Sequence, residues 1–181
     1  MKSLLILLAF VSSLAFAQNQ PLINVADGKA VALEDYRGAK AVVIIFTSNV
    51  CAYDGYYSDR LKSLFATYGG VVQFVLVNSY SEPEESADKM KAKYDVGSFG
   101  VPYLADKDQV WMKTLGARKS PEVFVLNPDF KVVYSGAIDD NPQLANAVKE
   151  SYLKKVLEDV IAGRMIGVGN TRAVGCSIRS K

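Results

Sequence analysis

Buried strands and amphipathic helices follow one another in the hydrophobic pattern, most clearly between Ala41 and Tyr68. Residues 41–46 read Ala-Val-Val-Ile-Ile-Phe, a short β-branched run that is typical of a strand buried on both faces. From residue 56 onward, apolar residues recur at helical spacing with charged residues between them, which predicts an amphipathic helix that ends near Tyr68. Cys51 therefore lies where a buried strand gives way to a helix.

The position of Cys51 gives it a candidate chemical role. The first N–H groups of a helix have no partner within the helix, and they coincide with the positive end of the helix dipole. Both favour a thiolate over a thiol, and the thiolate is the nucleophilic form of cysteine. The alternative interpretation is a small buried residue at a strand end, which is a common role of free cysteine.

Strands and helices also alternate along the rest of the chain, separated by turns rich in Gly and Pro. The pattern predicts an opening hairpin at 22–33 and four further extended segments at 71–78, 101–104, 122–126 and 131–135. It also predicts further helices at 86–94, 110–115 and 143–162. Buried strands that alternate with helices, followed by an antiparallel pair, indicate an α/β fold with a mixed central sheet flanked by helices.

Composition narrows the possible functions. The 181 residues fit one domain, and 21 Lys and Arg nearly balance 19 Asp and Glu without a basic block, so nucleic acid is not expected as a partner. The sequence contains no histidine, which excludes Cys-His dyads, Ser-His-Asp triads and histidine metal sites. Two cysteines alone make a poor zinc site, so we expect neither a metal nor another cofactor.

The first 17 residues have the features of an export signal. Lys2 is their only charge, residues 4–11 form a short apolar core, and Ala15-Phe16-Ala17 fits a cleavage site. We expect cleavage before Gln18 and a periplasmic or secreted mature chain. The apolar segment is too short for a membrane span, so stable membrane insertion is not expected after cleavage, although an uncleaved anchor is the alternative.

Two separated motifs resemble one known superfamily. Residues 46–54, F-T-S-N-V-C-A-Y-D, followed by the helix, resemble the active-site segment of thioredoxin-like redoxins, the superfamily that includes the AhpC/TSA group. Residues 116–127, G-A-R-K-S-P-E-V-F-V-L-N, look like their cis-proline loop and the strand after it. The resemblance implies a thioredoxin-like fold and places Ser120 and Pro121 at the substrate groove.

The resemblance also divides the chain into three parts. It covers about residues 22–163, so we expect a signal peptide at 1–17, a redoxin domain at 18–163 and a tail at 164–181. The tail has no clear periodicity and carries Cys176. Its ending, V-G-C-S-I-R, is similar to the tail of one group of exported redoxins that also carry a cysteine there.

The sequence departs from the family motifs at three positions. Asp54 replaces the second cysteine of Cys-x-x-Cys, and Ile44 and Ser48 stand where peroxiredoxins have Pro and Thr. The Ser48 hydroxyl is still able to hydrogen-bond a thiolate. Arg118 either supplies a positive charge near the sulfur or is a solvated loop cation. Asp54 either disfavours the thiolate or, as we prefer, complements the helix dipole from the first turn.

Cys176 is the candidate resolving thiol on a mobile tail. In this hypothesis Cys51 attacks a protein or small-molecule disulfide, or a peroxide, and Cys176 condenses with the product before a thiol reductant restores both. The alternative is a permanent staple, worth about 4–5 kcal/mol in the chain-entropy model. Three functions stay open: a thiol–disulfide oxidoreductase, an antioxidant thiol peroxidase, and a non-catalytic module braced by a Cys51–Cys176 disulfide.

Overall fold

The computed structural model describes residues 20–181, so the predicted signal peptide lies outside the described residues. One mixed sheet forms the centre of the molecule. Its seven strands are β1 (Leu22–Asn24), β2 (Ala30–Val31), β3 (Val42–Phe46), β4 (Gln73–Asn78), β5 (Tyr103–Ala105), β7 (Glu122–Leu126) and β8 (Val132–Gly136), in the order β2-β1-β5-β4-β3-β7-β8. Strands β3, β4 and β5 run parallel, and the outer strands pair antiparallel.

Helices cover both faces of this sheet. The α-helices of the described residues are α1 (Ala52–Tyr68), α2 (Ala87–Gly97), α3 (Val110–Leu115) and α4 (Tyr152–Ile161), and short 3₁₀ turns lie at Leu33–Tyr36, Pro83–Glu85 and Ala145–Ala147. Because successive strand residues point to opposite faces, β3 contributes to two separate apolar clusters. Val43 and Ile45 pack with α1, α2 and α4, whereas Ile44 and Phe46 pack with α3. The predicted mixed sheet flanked by helices is confirmed.

The structure confirms the predicted bounds of several segments. The 110–115 helix and the 122–126 strand match α3 and β7, and Asp27-Gly28 turns the opening hairpin, with Gly28 at a φ of +74°. The first helix begins earlier than its apolar pattern, directly after Cys51.

The predicted helix at 143–162 is wrong over its first nine residues, because α4 begins only at Tyr152. Residues 140–150 form a closed loop instead, in which the Asp140 backbone N–H donates to the Glu150 carbonyl. Arg60 of α1 donates to the carbonyl oxygens of Asn141 and Pro142 at 2.8 and 2.7 Å, which fixes the backbone in a non-helical path. A long-range contact therefore overrides the local apolar periodicity.

The tail packs against the domain through a second, two-stranded sheet. Strand β9 (Cys176–Ser177) pairs antiparallel with β6 (Lys119–Ser120), so that Cys176 lies opposite Ser120. Ala173 and Ile178 of the tail are buried, the latter in the apolar cluster around α3. Within residues 20–181, no helix combines the length and apolarity needed to cross a bilayer.

Candidate active site

Cys51 stands at the start of α1 and is joined to the tail. It is the residue immediately before the first helical residue, with extended backbone angles, and it forms a disulfide with Cys176, 125 residues further along. The two Cα atoms are 6.0 Å apart. Cys51 is only 6% exposed, whereas Cys176 is partly exposed. The disulfide thus presents one sulfur-bearing residue toward solvent and shields the other.

Buried polar groups hold the loop that leads to Cys51. Ser48 Oγ accepts the Cys51 N–H at 3.0 Å and donates to the carboxylate of Glu85. Glu85 is 1% exposed and also accepts the Asn49 N–H at 2.7 Å. Lys93 Nζ, on α2, donates to the Ser48 carbonyl at 2.6 Å, and burial lowers the pKa of Lys93. These contacts fix the backbone from which Cys51 projects.

Asp54 lies in the first turn of α1, as expected, and its side chain is buried. The carboxylate accepts hydrogen bonds from Thr47 Oγ1 at 2.6 Å and from Ser120 Oγ. Burial raises the pKa of Asp54 to about 6, although both hydroxyl donors oppose that shift. Asp54 therefore connects the cysteine loop, the helix and the Ser120–Pro121 turn.

The Ser120–Pro121 peptide bond is cis, in agreement with the motif interpretation. The Ser120 carbonyl oxygen lies 3.4 Å from Cys51 Sγ, and Ser120 is fully buried. The Cys51 and Pro121 segments, distant in sequence, thus meet in space. The same residue, Ser120, faces the cysteine sulfur with its carbonyl and Asp54 with its hydroxyl.

Side chains outside the two motifs also hold the tail. Tyr80 Oη donates to the Cys176 carbonyl at 3.1 Å. Gln109 Nε2 donates to the Arg179 carbonyl at 2.7 Å, and Gln109 Oε1 accepts the Lys181 N–H at 2.8 Å. The structure therefore shows a tail whose backbone is bound at Cys176 and at residues that follow it.

A family comparison agrees with this architecture. The redoxin family model matches residues 15–157, which is most of the chain. The chain belongs to the redoxin family. A comparison of this redoxin with curated proteins found no match.

Solved structures of other proteins resemble this redoxin over most of its length. An uncharacterized conserved protein from Geobacillus kaustophilus is 32% identical, with a TM-score of 0.83 over 91% of this chain and 90% of that chain. A hypothetical protein from Sinorhizobium meliloti is 26% identical, with a TM-score of 0.82 over 90% and 91%. A secreted disulfide oxidoreductase from Mycobacterium tuberculosis shares the fold at 15% identity, with a TM-score of 0.55 over 65% and 83%. The thioredoxin-like fold expected from the motifs is therefore confirmed.

The redoxin brings most of the predicted site residues together, though not always in the expected contacts. The Ser48 hydroxyl proton is directed to Glu85 instead of a sulfur, so Ser48 acts on the Cys51 backbone. The Arg118 side chain is exposed and, within residues 20–181, makes no hydrogen bond or ion pair, which fits a solvated cation. Its backbone carbonyl, however, accepts the Ile178 N–H of the tail at 2.9 Å.

Three residues of the site were missed from the sequence: Glu85, Tyr80 and Gln109. Glu85 follows Glu82 and Glu84 in a polar run that is typical of a solvated loop. Gln109 lies in the polar stretch Asp-Lys-Asp-Gln, and its backbone has a φ of +59°. Neither spacing nor composition distinguishes these residues from surface residues, because their roles depend on contacts with distant segments.

Proposed function

We propose that this redoxin is an exported thiol–disulfide oxidoreductase in which Cys51 is the nucleophile and Cys176 the resolving thiol. The observation that supports the proposal is the Cys51–Cys176 disulfide at the start of α1, beside the cis-proline turn. Asp54 stands where the Cys-x-x-Cys motif has its second cysteine, so Cys51 has no local partner. Cys176, on strand β9 of the tail, is its partner instead.

The proposed reaction is a two-step exchange. The Cys51 thiolate attacks one sulfur of a protein or small-molecule disulfide, forms a mixed disulfide and expels the second substrate sulfur as a thiolate. The Cys176 thiolate then attacks Cys51 Sγ, forms the Cys51–Cys176 bond and expels the first substrate sulfur. The substrate gains two electrons, the protein loses two, and the released thiolates take protons from water.

An external dithiol reductant regenerates the enzyme. Because Cys176 is the more exposed partner, the reductant thiolate attacks Cys176 Sγ and expels Cys51 as a thiolate. A thiolate at a helix start is a good leaving group, because the helix dipole stabilises the negative charge. A second reductant thiolate then resolves the mixed disulfide on Cys176, and the reductant leaves as a disulfide.

The second candidate function is a non-catalytic module in which the disulfide is a brace. The specific observation in its favour is the number of tail contacts that do not involve sulfur, such as those of Tyr80 and Gln109. The reduction potential separates the candidates, since a value well below about −300 mV is typical of structural disulfides. We favour the oxidoreductase because Cys176 is partly exposed to solvent.

The proposal includes export of the protein from the cytosol. The charged start, apolar core and Ala-x-Ala site of residues 1–17 support cleavage before Gln18 and delivery to the periplasm or the medium. An oxidising compartment is also where a disulfide of this kind persists. N-terminal sequencing of the protein recovered outside the cytosol tests this step, and a chain that still begins at Met1 would contradict it.

Stopped-flow thiol titration tests the chemical role. The reduced wild type, Cys51→Ser and Cys176→Ser proteins are mixed with a small aromatic disulfide at neutral pH, and thiol release is counted. We expect the wild type to release two thiol equivalents rapidly, Cys176→Ser to release one and stop at the mixed disulfide, and Cys51→Ser to lose the fast phase.

Two results would contradict the oxidoreductase. Reduced Cys51 that reacts no faster than a free peptide thiol removes both this function and the peroxidase alternative. Rapid consumption of hydrogen peroxide, together with slow exchange with disulfides, would assign the protein to the peroxidases instead.

A further inference from the structure

The tail closes the backbone edge beside the cysteine site. Strand β6 pairs with β9 alone among the described strands, with Ser120 opposite Cys176. The Ile178 N–H continues this contact by donating to the Arg118 carbonyl at 2.9 Å. An added polypeptide strand needs unpaired N–H and C=O groups, and the tail already bonds to this edge. The docked tail therefore leaves no place on β6 for a second chain.

Contacts that do not involve sulfur hold the tail in this position. After the cysteine, the fully buried Gln109 amide contacts the Arg179 carbonyl and the Lys181 N–H. Before the cysteine, the Thr171 N–H donates to the Ser135 carbonyl of β8 at 3.0 Å. A single hydrogen bond contributes little, but several that act on one segment hold it in place. Reduction of the disulfide breaks none of them, so we expect the tail to stay docked in the reduced protein.

The docked tail restricts what can reach Cys51. The tail backbone contacts the cis-proline turn so closely that a Cβ atom at Gly175 would lie 2.0 Å from the Ser120 carbonyl oxygen. Cys51 is 6% exposed, whereas Cys176 is partly exposed, so the sulfur atoms are reached from the side of Cys176. A small molecule needs only the Cys176 side chain to turn aside. A polypeptide would need the whole tail to leave.

The surface on this side is basic. Residues 164–181 contain four Lys and Arg and no Asp or Glu. Three cations beside β6 and β9 form a basic rim, namely Arg118, Lys119 and Arg179, and none of them has an ion pair within residues 20–181. The Glu122 carboxylate contacts this segment, where it accepts the Arg118 and Lys119 N–H groups at 2.6 and 2.9 Å. One carboxylate against three cations leaves a positive rim, which attracts anions.

We propose that the substrate is a small disulfide whose two halves carry carboxylates, attracted to Cys51 by the basic rim, and that the docked tail excludes polypeptide disulfides. The proposal rests on the proposed thiol–disulfide exchange and names its substrate class. A carboxylate on each half serves the reaction whichever sulfur is attacked, because both halves then lie close to the rim.

The exchange with such a substrate balances within the cysteine pair. The Cys51 thiolate attacks one substrate sulfur, a new S–S bond forms, and the electron pair of the old bond leaves with the other half as a thiolate. The Cys176 thiolate then attacks Cys51 Sγ and expels the first half as a second thiolate. The substrate gains two electrons, the protein loses two, and the tail backbone stays docked throughout.

Three small disulfides of similar size test the selection by charge. Dithiodipropionate carries two carboxylates, hydroxyethyl disulfide is uncharged, and cystamine carries two ammonium groups. The protein is the full reduced chain with Cys176→Ser, so Cys51 is its one thiol. Mass spectrometry after acid quenching follows the formation of the mixed disulfide. Each rate is divided by the rate of the same reagent with a blocked, uncharged cysteine peptide, which removes the intrinsic differences between reagents.

We expect the corrected rate of the dicarboxylate to be at least about tenfold that of cystamine at low salt, because a charged site raises association rates by this order or more. In about 1 M salt the rates should converge, because screening removes the attraction. The combined variant Arg118→Ala, Lys119→Ala and Arg179→Ala should lose the preference at low salt. Lys131→Ala is the matched control and should keep it, because Lys131 is exposed and precedes β8 at the end of β7 opposite Pro121.

A peptide disulfide tests the exclusion by the tail. The probe is an uncharged, blocked peptide joined to its own copy through a central cysteine, and hydroxyethyl disulfide is the reference. We expect the peptide to react at least about tenfold more slowly, because only the minor fraction with an undocked tail admits it. Gly175→Val should undock the tail and raise the peptide rate more than the reference rate. Should that variant fail to fold, Gln109→Ala provides the same comparison.

The outcomes separate the substrate class from the chemistry. Fast reaction at equal corrected rates with all three small disulfides, or a preference that survives loss of the basic rim, overturns the anionic substrate and leaves the oxidoreductase standing. A peptide disulfide that reacts as fast as hydroxyethyl disulfide overturns the exclusion of polypeptides. Reaction no faster than that of the free cysteine peptide, with every reagent, overturns the proposed function itself.

Discussion

The Ser120 hydroxyl donates a hydrogen bond to the Asp54 carboxylate, so the turn before Pro121 is tied to the first turn of α1 beside the disulfide. Thr47 Oγ1 holds the same carboxylate from the other side, at 2.6 Å. Burial raises the pKa of Asp54 to about 6 from its ordinary value of 3.8. An acid at the centre of the site therefore titrates close to neutral pH.

Asp54→Asn is expected to remove a pH-dependent part of the stability. The folded pKa lies above the unfolded one, so protonated Asp54 stabilises the fold below about pH 4, and this contribution is lost as the pH rises to about 6. A shift of two pKa units corresponds to about 3 kcal/mol. Urea unfolding of the oxidised wild type and of the oxidised Asp54→Asn protein, from about pH 4 through about pH 6 to neutral pH, measures this pH-dependent contribution.

The stability of the wild type relative to Asp54→Asn should fall by about 3 kcal/mol over that interval. The substitution also changes the free energy of unfolding by an amount that does not depend on pH, and this amount does not affect the change across the interval. The other carboxylates are present in both proteins, so their contributions to the pH dependence cancel. A difference that stays flat across the interval would show that Asp54 keeps its ordinary pKa in the folded protein.

The fold could be predicted from sequence because local patterns carried most of it. The β-branched run of β3 and the apolar spacing of α1 depend on near neighbours, and both are present where they were expected. The segment before α4 could not be predicted, because Arg60 fixes it from 81 residues away. Local periodicity has no information about such a contact.

The site could be predicted only in part, for the same reason. Cys51 was identified from a strand–helix junction, and Pro121 from its motif, both of which are local signals. The residues that orient the Cys51 loop and bind the tail, such as Glu85 and Gln109, act across 37 and 70 residues respectively. Their types alone are typical of solvated positions, so nothing local in the sequence distinguishes them.

Glu85→Ala is expected to lower the free energy of unfolding by about 3–5 kcal/mol, because it leaves several buried donors without an acceptor. The donors are the Ser48 hydroxyl, the Asn49 N–H and the Asn78 amide, the last at 2.7 Å. Glu84 is adjacent and exposed, which makes Glu84→Ala the matched control, with an expected change within about 0.5 kcal/mol.

Urea unfolding of the oxidised proteins measures the two changes. The reaction rate of reduced Cys51 with a small disulfide is a second measurement. Because Glu85 contacts Ser48, Glu85→Ala should loosen the loop that leads to Cys51 and slow this reaction. Equal losses in Glu85→Ala and Glu84→Ala would contradict the role assigned to Glu85.

Arg60→Lys is expected to lower the free energy of unfolding by about 2 kcal/mol, because a lysine cannot reproduce the planar fork. Arg60 donates to Asp139 at 2.5 Å and to the carbonyls of Asn141 and Pro142, and Asp139 is buried. Asp59→Asn, on the adjacent exposed position of α1, should change stability little. Hydrogen exchange should show faster opening of residues 140–150 only in the Arg60 variant, and unchanged exchange there would contradict the role of Arg60 in holding this loop.

Ile178→Ala tests whether the tail is held by contacts other than its sulfur. The side chain is buried in the cluster around α3, so truncation should cost about 1–2 kcal/mol at this peripheral site. A tail that detaches more often also exposes the Cys51–Cys176 bond, so a small dithiol should open it several times faster than in the wild type. Alkylation of the freed thiols, followed by mass spectrometry, measures that rate.

The matched control is Ser177→Ala, because Ser177 is the exposed residue directly before Ile178 and its side chain has only an exposed hydrogen bond from Lys119 to lose. If the tail were held by the disulfide alone, both variants would be reduced at the wild-type rate. If packing holds it, the reduced wild type keeps Cys176 docked near Cys51, and oxidation of the pair should be faster in the wild type than in Ile178→Ala. A tail position that is retained after reduction lowers the entropy cost of closing a loop of 125 residues, which is the property that a resolving cysteine so distant in sequence requires.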